Sequence, residues 1–284
     1  MALVKPIKQG ASLAAEIQAA RKTPSETKFD LWWLGQSGFL IVWNGHSLLF
    51  DPYLSDSLTK KYAGTNKPHV RMSELVIAPD LLTNIDVVTS SHNHTDHLDA
   101  ETLQGIFKAS PNARMLIPEA NRDFVATRSG RDRDFPVGLT EGQTKTMGVF
   151  SFTGVASAHN EIERDINGNC LFMGFVVRFG PFSVYHSGDT LLHDGLIPSL
   201  KPHSVDVAFL PINGNDPNRG VAGNLNGIEA ANLGKAINAK IVIPHHYHMF
   251  EFNTAEPDVF QSECFRVKQE QKTLLMGERL TYCK

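Results

Sequence analysis

Ser91-His92-Asn93-His94-Thr95-Asp96-His97 is the segment that most limits what this chain can become. The chain holds 12 histidines in 284 residues, and three of them fall between positions 92 and 97. Ile85–Thr89, short, apolar and β-branched, reads as a strand that runs straight into this segment. Asp99–Ala109 has helical spacing, with Asp99 placed as N-cap. His92 and His94 are two residues apart, so in extended chain they point to one side. Asp96 and His97 then fall at the turn into the helix and can face the same point. Neutral imidazoles crowded beside a carboxylate suit a divalent metal better than an apolar core. The bland alternative is a polar loop that happens to be rich in histidine.

The rest of the chain reads as alternating strands and helices. Phe29–Leu34, Phe39–Trp43 and Ser47–Phe50 are β-like, with Asn44-Gly45 as a hairpin signal. Ser55–Asp80 is polar and interrupted by proline, and reads as a surface excursion near a pocket. Met115–Ile117, Thr144–Ala156, Leu171–Phe179, Ser183–Tyr185, Val205–Leu210 and Lys240–Ile243 read as strands, with short ones near Thr273–Leu275 and Leu280–Tyr282. Gly227–Ile237 and Asp258–Gln269 read as helices. Strand clusters with helices between and after them fit an α/β class, two sheets face to face with helices outside in a four-layer αββα sandwich. We expect one domain over residues 1–284, with residues 1–28 as an N-terminal helical extension.

Bulk properties narrow the function classes. With 42% hydrophobic residues the chain can bury a sizeable core. Its 27 basic and 30 acidic residues leave a net charge of −3, which favours neither nucleic acid nor an anionic membrane surface. Cys170, Cys264 and Cys283 are widely spaced and form no CxxC pair, so a reducing, cytoplasmic setting is expected. Glu16 and Gln18 interrupt the apolar run near the N-terminus, which therefore reads as an amphipathic helix rather than a leader.

Ser91–His97 resembles the signature of the metallo-β-lactamase superfamily. That resemblance implies that His92, His94 and His97 are metal ligands, with Asp96 as a further ligand or the group that orients the attacking water. It also implies later ligands in order: His159 in Ala158-His159-Asn160, Asp189 in Ser187-Gly188-Asp189-Thr190, and His246 in Pro244-His245-His246-Tyr247. Asp51, in Phe50-Asp51-Pro52, matches an early aspartate that supports such a site. The implied arrangement puts His92, His94 and His159 around one ion and Asp96, His97 and His246 around a second, with Asp189 bridging. His245 and His246 lie on opposite faces of a strand, so one of them should ligate, and the resemblance selects His246. His186 and His248 are near-site polar residues; His46, His69, His193 and His203 have no such support.

Trp33–Phe39, Leu210–Gly214, Arg219-Gly220 with Gly223-Asn224, and Ile243–Phe250 followed by Asn253 and Pro257 are similar to the L-ascorbate-6-phosphate lactonase (UlaG-like) branch. The implied activity is hydrolysis of a lactone or ester by a metal-activated water, the substrate being a small anion such as a phosphorylated sugar acid. The implied cofactor is one or two zinc or manganese ions, with iron also accommodated. Asp96 would take the proton of the attacking water. Arg219 is the expected anion contact, with Asn213, Asn224 and Tyr247 as hydrogen-bond partners of the substrate. Alternatives are a phosphodiesterase acting on a nucleotide or phospholipid head group, and a non-catalytic metal sensor or partner module, against which the retained Asp96 speaks. A homo-oligomer is compatible with the sequence; no nucleic-acid or membrane partner is expected.

Overall fold

A computed structural model describes residues 3–216 and 223–284. Among the described residues, thirteen strands form two mixed sheets. The first contains β1 (Lys28–Gly35), β2 (Gly38–Trp43), β3 (His46–Phe50), β4 (Val87–Thr89), β5 (Arg114–Pro118), β6 (Pro136–Leu139) and, from the C-terminus, β13 (Arg279–Cys283). Its order is β13-β1-β2-β3-β4-β5-β6. The second contains β7 (Thr144–Met147), β8 (Phe150–Ala156), β9 (Met173–Phe179), β10 (Phe182–His186), β11 (Val207–Pro211) and β12 (Ile241–His245), in the order β12-β11-β10-β9-β8-β7. Among the described residues seven α-helices accompany them: α1 (Gly10–Arg21), α2 (Ser57–Lys61), α3 (Ala100–Ala109), α4 (Arg122–Ser129), α5 (Leu196–Leu200), α6 (Gly227–Ala236) and α7 (Asp258–Val267).

Each sheet is antiparallel in one half and parallel in the other. β13, β1, β2 and β3 pair antiparallel, whereas β3, β4, β5 and β6 pair parallel. In the second sheet β7 to β10 are antiparallel and β10, β11 and β12 parallel. The parallel halves require crossover connections, and helices α3 and α6 supply two of them.

Aromatic side chains interlock the sheets. Phe29 meets Phe179 and Phe182 at 5.3 and 5.0 Å between ring centres, and Phe39 meets Phe209 at 4.3 Å. Every residue of β2 is buried, because its outer face is covered by α1 through Leu13, Ile17 and Ala20. Glu16 on α1 also accepts a hydrogen bond from Trp32 Nε1 at 2.9 Å, which anchors the helix to β1.

Most expected elements appear near their expected bounds, including the hairpin at Asn44-Gly45, where both residues have positive φ (+47° and +81°). Others differ. Thr144–Ala156 is a hairpin rather than one strand, turned at Gly148, whose φ is +61°. Thr273–Leu275 forms no strand, and α2, α4, α5 and β6 were not anticipated. Helix α4, Arg-Asp-Phe-Val-Ala-Thr-Arg-Ser, is short and largely polar, so it carries little apolar periodicity to read.

Candidate metal centre

Six segments end at one edge of the paired sheets, and each brings a polar side chain there. Asp51 follows β3, residues 91–97 follow β4, and His159 lies just beyond β8. Asp189 follows β10, Asn213 follows β11 and His246 follows β12. Five of these six strands belong to parallel pairs, and the C-terminal ends of parallel strands are where α/β proteins habitually build sites.

The His-rich loop makes a single helical turn, with the N–H groups of His97 and Leu98 both donating to the His94 carbonyl (3.1 and 2.8 Å). Asp99 then caps α3 by accepting from Thr102 N–H at 2.9 Å. Two sets of three ligand-type side chains result: His92, His94 and Asp189, and Asp96, His97 and His246. Within each set the donor atoms all lie within 4.8 Å of one another. Asp189 stands between the sets. Its Oδ2 is 3.9 Å from His92 Nε2, and its Oδ1 is 2.8 Å from His246 Nε2 and 3.2 Å from His97 Nε2. Gly188 allows this approach: at φ +58° it packs where a Cβ would collide with Ser91.

The surrounding hydrogen bonds orient the rings. Asp51 is fully buried at φ +37° and accepts from His97 Nδ1 at 2.8 Å, from Thr89 Oγ1 at 2.8 Å, and from both the N–H and the hydroxyl of Ser91. With Nδ1 engaged, His97 presents Nε2 to the centre. Ser91 Oγ spends its hydrogen on Asp51, so it accepts from His92 Nδ1 at 3.0 Å. His92 Nε2 is left buried with no partner, as is Nδ1 of His159. Buried polar atoms without partners are rare, and a cation would satisfy those here. The donor set is also the right one: imidazole and carboxylate suit divalent transition metals.

Electrostatics point the same way. Burial pushes His92 well below the ordinary imidazole range, and His94 less strongly. For His97 burial opposes the charge, but Asp189 and Asp96 outweigh it and hold the ring well above that range. Asp189 is likewise held well below the carboxylate range by His246 and His97, against the opposing effect of burial. Neutral His92 and His94 and ionised Asp189 are in the forms that bind metal, whereas His97 would have to give up a proton to an incoming ion.

His159 reaches the centre but stands outside both sets of three. Its ring lies 4.9 Å from that of His94 and 5.9 Å from that of His92. Gly223 packs so closely against it that a side chain there would collide with the ring. His245 belongs to neither set: it stacks on His186 with ring centres 5.3 Å apart and planes 3° from parallel, and its Nδ1 lies 3.4 Å from Ser37 Oγ, which is also 3.4 Å from His97 Nε2. His246 enters the centre at φ +62°.

The expected substrate contacts fare less well. Tyr247 is buried, stacked on Trp33 at 4.2 Å, and its hydroxyl donates to the Leu274 carbonyl. It is a core residue and offers nothing to a substrate. Asn213 is buried behind Asn253, to whose Oδ1 it donates at 2.6 Å. Asn224 does line the cleft, although its Oδ1 is engaged by Thr190 N–H at 3.1 Å. Arg219 lies outside the described residues.

The cleft above His94, Asp96, His159 and Asp189 has a volume of about 570 Å³. Its walls include residues that sequence reasoning passed over. Lys61, Tyr62, Lys67 and His69 come from the excursion between β3 and β4, Phe124 and Arg128 from α4, and Phe252 from the loop after β12. His69 stacks on Tyr62 at 4.5 Å and sets its edge against Phe252 at 4.5 Å, which holds the excursion against the loop. Arg128 donates to the Asn93 carbonyl at 2.8 Å and lies 4.4 Å over Phe124. No local spacing signals these residues. Gln36 was visible as a polar residue between two glycines, but not as a member of the site.

Two mixed sheets meeting at a buried His/Asp cluster define the class: a metal-dependent hydrolase of the metallo-β-lactamase kind. The chain belongs to the β-lactamase superfamily, whose "Beta-lactamase superfamily domain" profile matches residues 30–246. It is 29% identical over 255 residues to a "UPF0173 metal-dependent hydrolase" of Opitutus terrae, covering 88% of this chain and 98% of that one. It is 22% identical over 279 residues to the "Probable L-ascorbate-6-phosphate lactonase UlaG" of Shigella dysenteriae serotype 1, covering 87% and 77% of the two chains. Among solved structures, the metallo-beta-lactamase fold protein YhfI of Bacillus subtilis superposes with a TM-score of 0.64 at 18% identity, over 90% of this chain and all of that one. No helix among the described residues is long and apolar enough to cross a membrane.

Proposed function

We propose that this hydrolase cleaves a lactone or ester bond in a small, negatively charged molecule, with a phosphorylated sugar acid as the type of substrate. The observation that carries this reading is the cleft wall. Apart from Asp96 and Asp189, which belong to the metal centre, the charged residues lining it among the described residues are Lys61, Lys67 and Arg128. A guanidinium can hold two oxygens of an anion at once, and ammonium groups add point charge.

In this reading His92, His94 and His159 hold one ion and Asp96, His97 and His246 a second, with Asp189 shared; zinc or manganese fits, and iron is compatible. A bound ion would supply a water acidified to near neutrality and a Lewis acid for the scissile group. The chain's own residues do the rest. Asp96 lines the cleft as a carboxylate: burial would raise its pKa, but His97 and His246 draw it below the usual value. It therefore orients the attacking water and takes a proton only from one already strongly acidified. Asp51 keeps the His97 ring turned, and Arg128 anchors both the metal loop, through Asn93, and the substrate's charge.

Rates on a panel of neutral and anionic lactones, carboxylate esters and bis-p-nitrophenyl phosphate test this, using protein loaded with zinc or manganese. Anionic lactones or esters should be turned over fastest, and Arg128→Met should raise their KM by about 10- to 100-fold, the loss of one charge-assisted contact. Preference for bis-p-nitrophenyl phosphate with inert lactones would replace this reading with a phosphodiesterase; metal binding without turnover of any of them would favour a sensor.

A further inference from the structure

Two of the cations that line the cleft lie against aromatic rings. The Arg128 guanidinium sits 4.4 Å over the Phe124 ring, and the Lys61 ammonium 5.0 Å over the Tyr62 ring. Phe124 and Arg128 are four residues apart on α4, so they share one face of that helix. The helix packs inward through Val125, Ala126 and Ser129, whereas Phe124 stays 44% exposed. Among the described residues Phe124 joins neither apolar cluster of the protein, yet it lines the cleft beside Arg128. An anion gripped by Arg128 is therefore held next to an apolar surface.

The excursion after β3 brings a second aromatic surface to the same cleft. Tyr62 and Phe252 pack on a small apolar cluster of Tyr53, Leu58, Met249 and Phe250, apart from the main core. His69 fixes them relative to each other, stacked on Tyr62 and edge-on to Phe252. Charge and ring surface thus lie side by side in the cleft. A bare anion such as inorganic phosphate would use the charge alone. An anion that carries a ring uses both, because the ring face leaves water against Phe124 while the charge stays on Arg128. Sugar and lactone rings present such a face through their C–H groups, as aromatic rings do through their π surface.

We propose that Phe124 is a specificity-determining residue: it receives a ring face of the substrate, with Tyr62 and Phe252 as neighbouring walls, while Arg128 holds the substrate's charge. The substrate class narrows from any small anion to an anion whose charge is attached to a ring. This proposal rests on the anionic-substrate reading above and is independent of which bond is cleaved.

Calorimetric binding of phenylphosphonate and methylphosphonate to the zinc-loaded protein, at a pH where both are dianions, tests it. The two probes share the charged head and differ in the ring. Phenylphosphonate should bind at least about 10-fold more tightly, the gain from covering one ring face with an aromatic side chain. Phe124→Ala should remove most of that preference and leave methylphosphonate within a few-fold of the parent. Phe124→Tyr, which keeps the ring, should keep the preference, and Arg128→Met should weaken both probes alike. If Phe124→Ala does not fold, Phe124→Gln makes the same comparison. Equal affinity of the parent for the two probes, or a preference that survives in Phe124→Ala, overturns the proposal. So does equal weakening of both probes by Phe124→Ala, which would make the ring only a support for Arg128. In those cases the anionic-substrate reading stands and this proposal falls alone; if the parent binds neither probe, both fall together.

Discussion

The two halves of the His/Asp cluster use the same side-chain chemistry but are held very differently. On the cleft side His92 has Ser91 Oγ at 3.0 Å and Phe172 4.8 Å from its ring, while His94 is exposed and has Phe172 5.6 Å from its ring. His97 and His246, on the inner side, are fully buried, and each has a dedicated hydrogen-bond partner, Asp51 for one and Gln36 for the other. The inner half is preorganised, and the outer half is left adjustable where a substrate would enter. Asp189 is the part they share.

The largest expected effect comes from removing that shared part. Asp189→Ala should weaken every metal equivalent by at least about 100-fold and abolish turnover, because one carboxylate serves both halves and also neutralises His97. Elemental analysis after dialysis against a weak chelator checks this, and loss of a single equivalent would show that the halves are independent.

Next in size is Asp96→Asn, nearly isosteric and placed on the cleft side of the inner half. Turnover should fall by about 100- to 10,000-fold while at least one ion stays with His92, His94 and His159. Metal content and initial rates on one sample, across pH 6 to 9, measure both. A variant that keeps its metal and most of its rate would make Asp96 structural.

The smallest effect concerns pH and separates His245 from His246. In metal-free protein burial holds His92, His94, His186 and His245 below the ordinary imidazole value, the first and last of them strongly. Such groups take up protons only on unfolding, so stability should fall as pH drops below about 6.5. His97, with its raised value, works the other way: its contribution is present at low pH and is lost as pH rises through its folded value. Burial lowers His69 and His203 as well, so six groups outweigh one and the metal-free melting temperature should be lower at pH 5.5 than at pH 7.5. His245→Gln should flatten this slope by at most about 1.4 kcal/mol per pH unit and keep metal binding, whereas His246→Gln should lose an equivalent. An unchanged slope in His245→Gln would mean that this ring is not buried neutral.

Much of the centre could be read from residues in a row, because local order carries local geometry. The two-residue spacing of His92 and His94, the strand before them and the Asp99 cap after them all belong to one short segment. The same logic failed for substrate contacts. Tyr247 has the right chemistry, but the loop after β12 delivers it to Trp33 and the Leu274 carbonyl. Lys61, His69 and Arg128 look like ordinary surface residues in the sequence and become cleft walls only when the excursion after β3 and helix α4 fold over the metal loop.

What the sequence determined by itself was the class of fold and a row of ligand-type side chains: a His-x-His-x-Asp-His loop at a strand end, set among apolar strands and intervening helices. The expectation that His245 and His246 lie on opposite faces of one strand did not hold: β12 ends at His245, and His246 follows it at φ +62°. Tertiary structure decided the rest. It turned His246 inward and stacked His245 on His186, set Asp189 between the two halves, and aimed Gln36 at both Asp96 and His246. The physical reason is that side-chain period is a property of a single strand, whereas convergence depends on which strands share an edge. That is settled by how two sheets pack, through contacts between residues far apart in the chain.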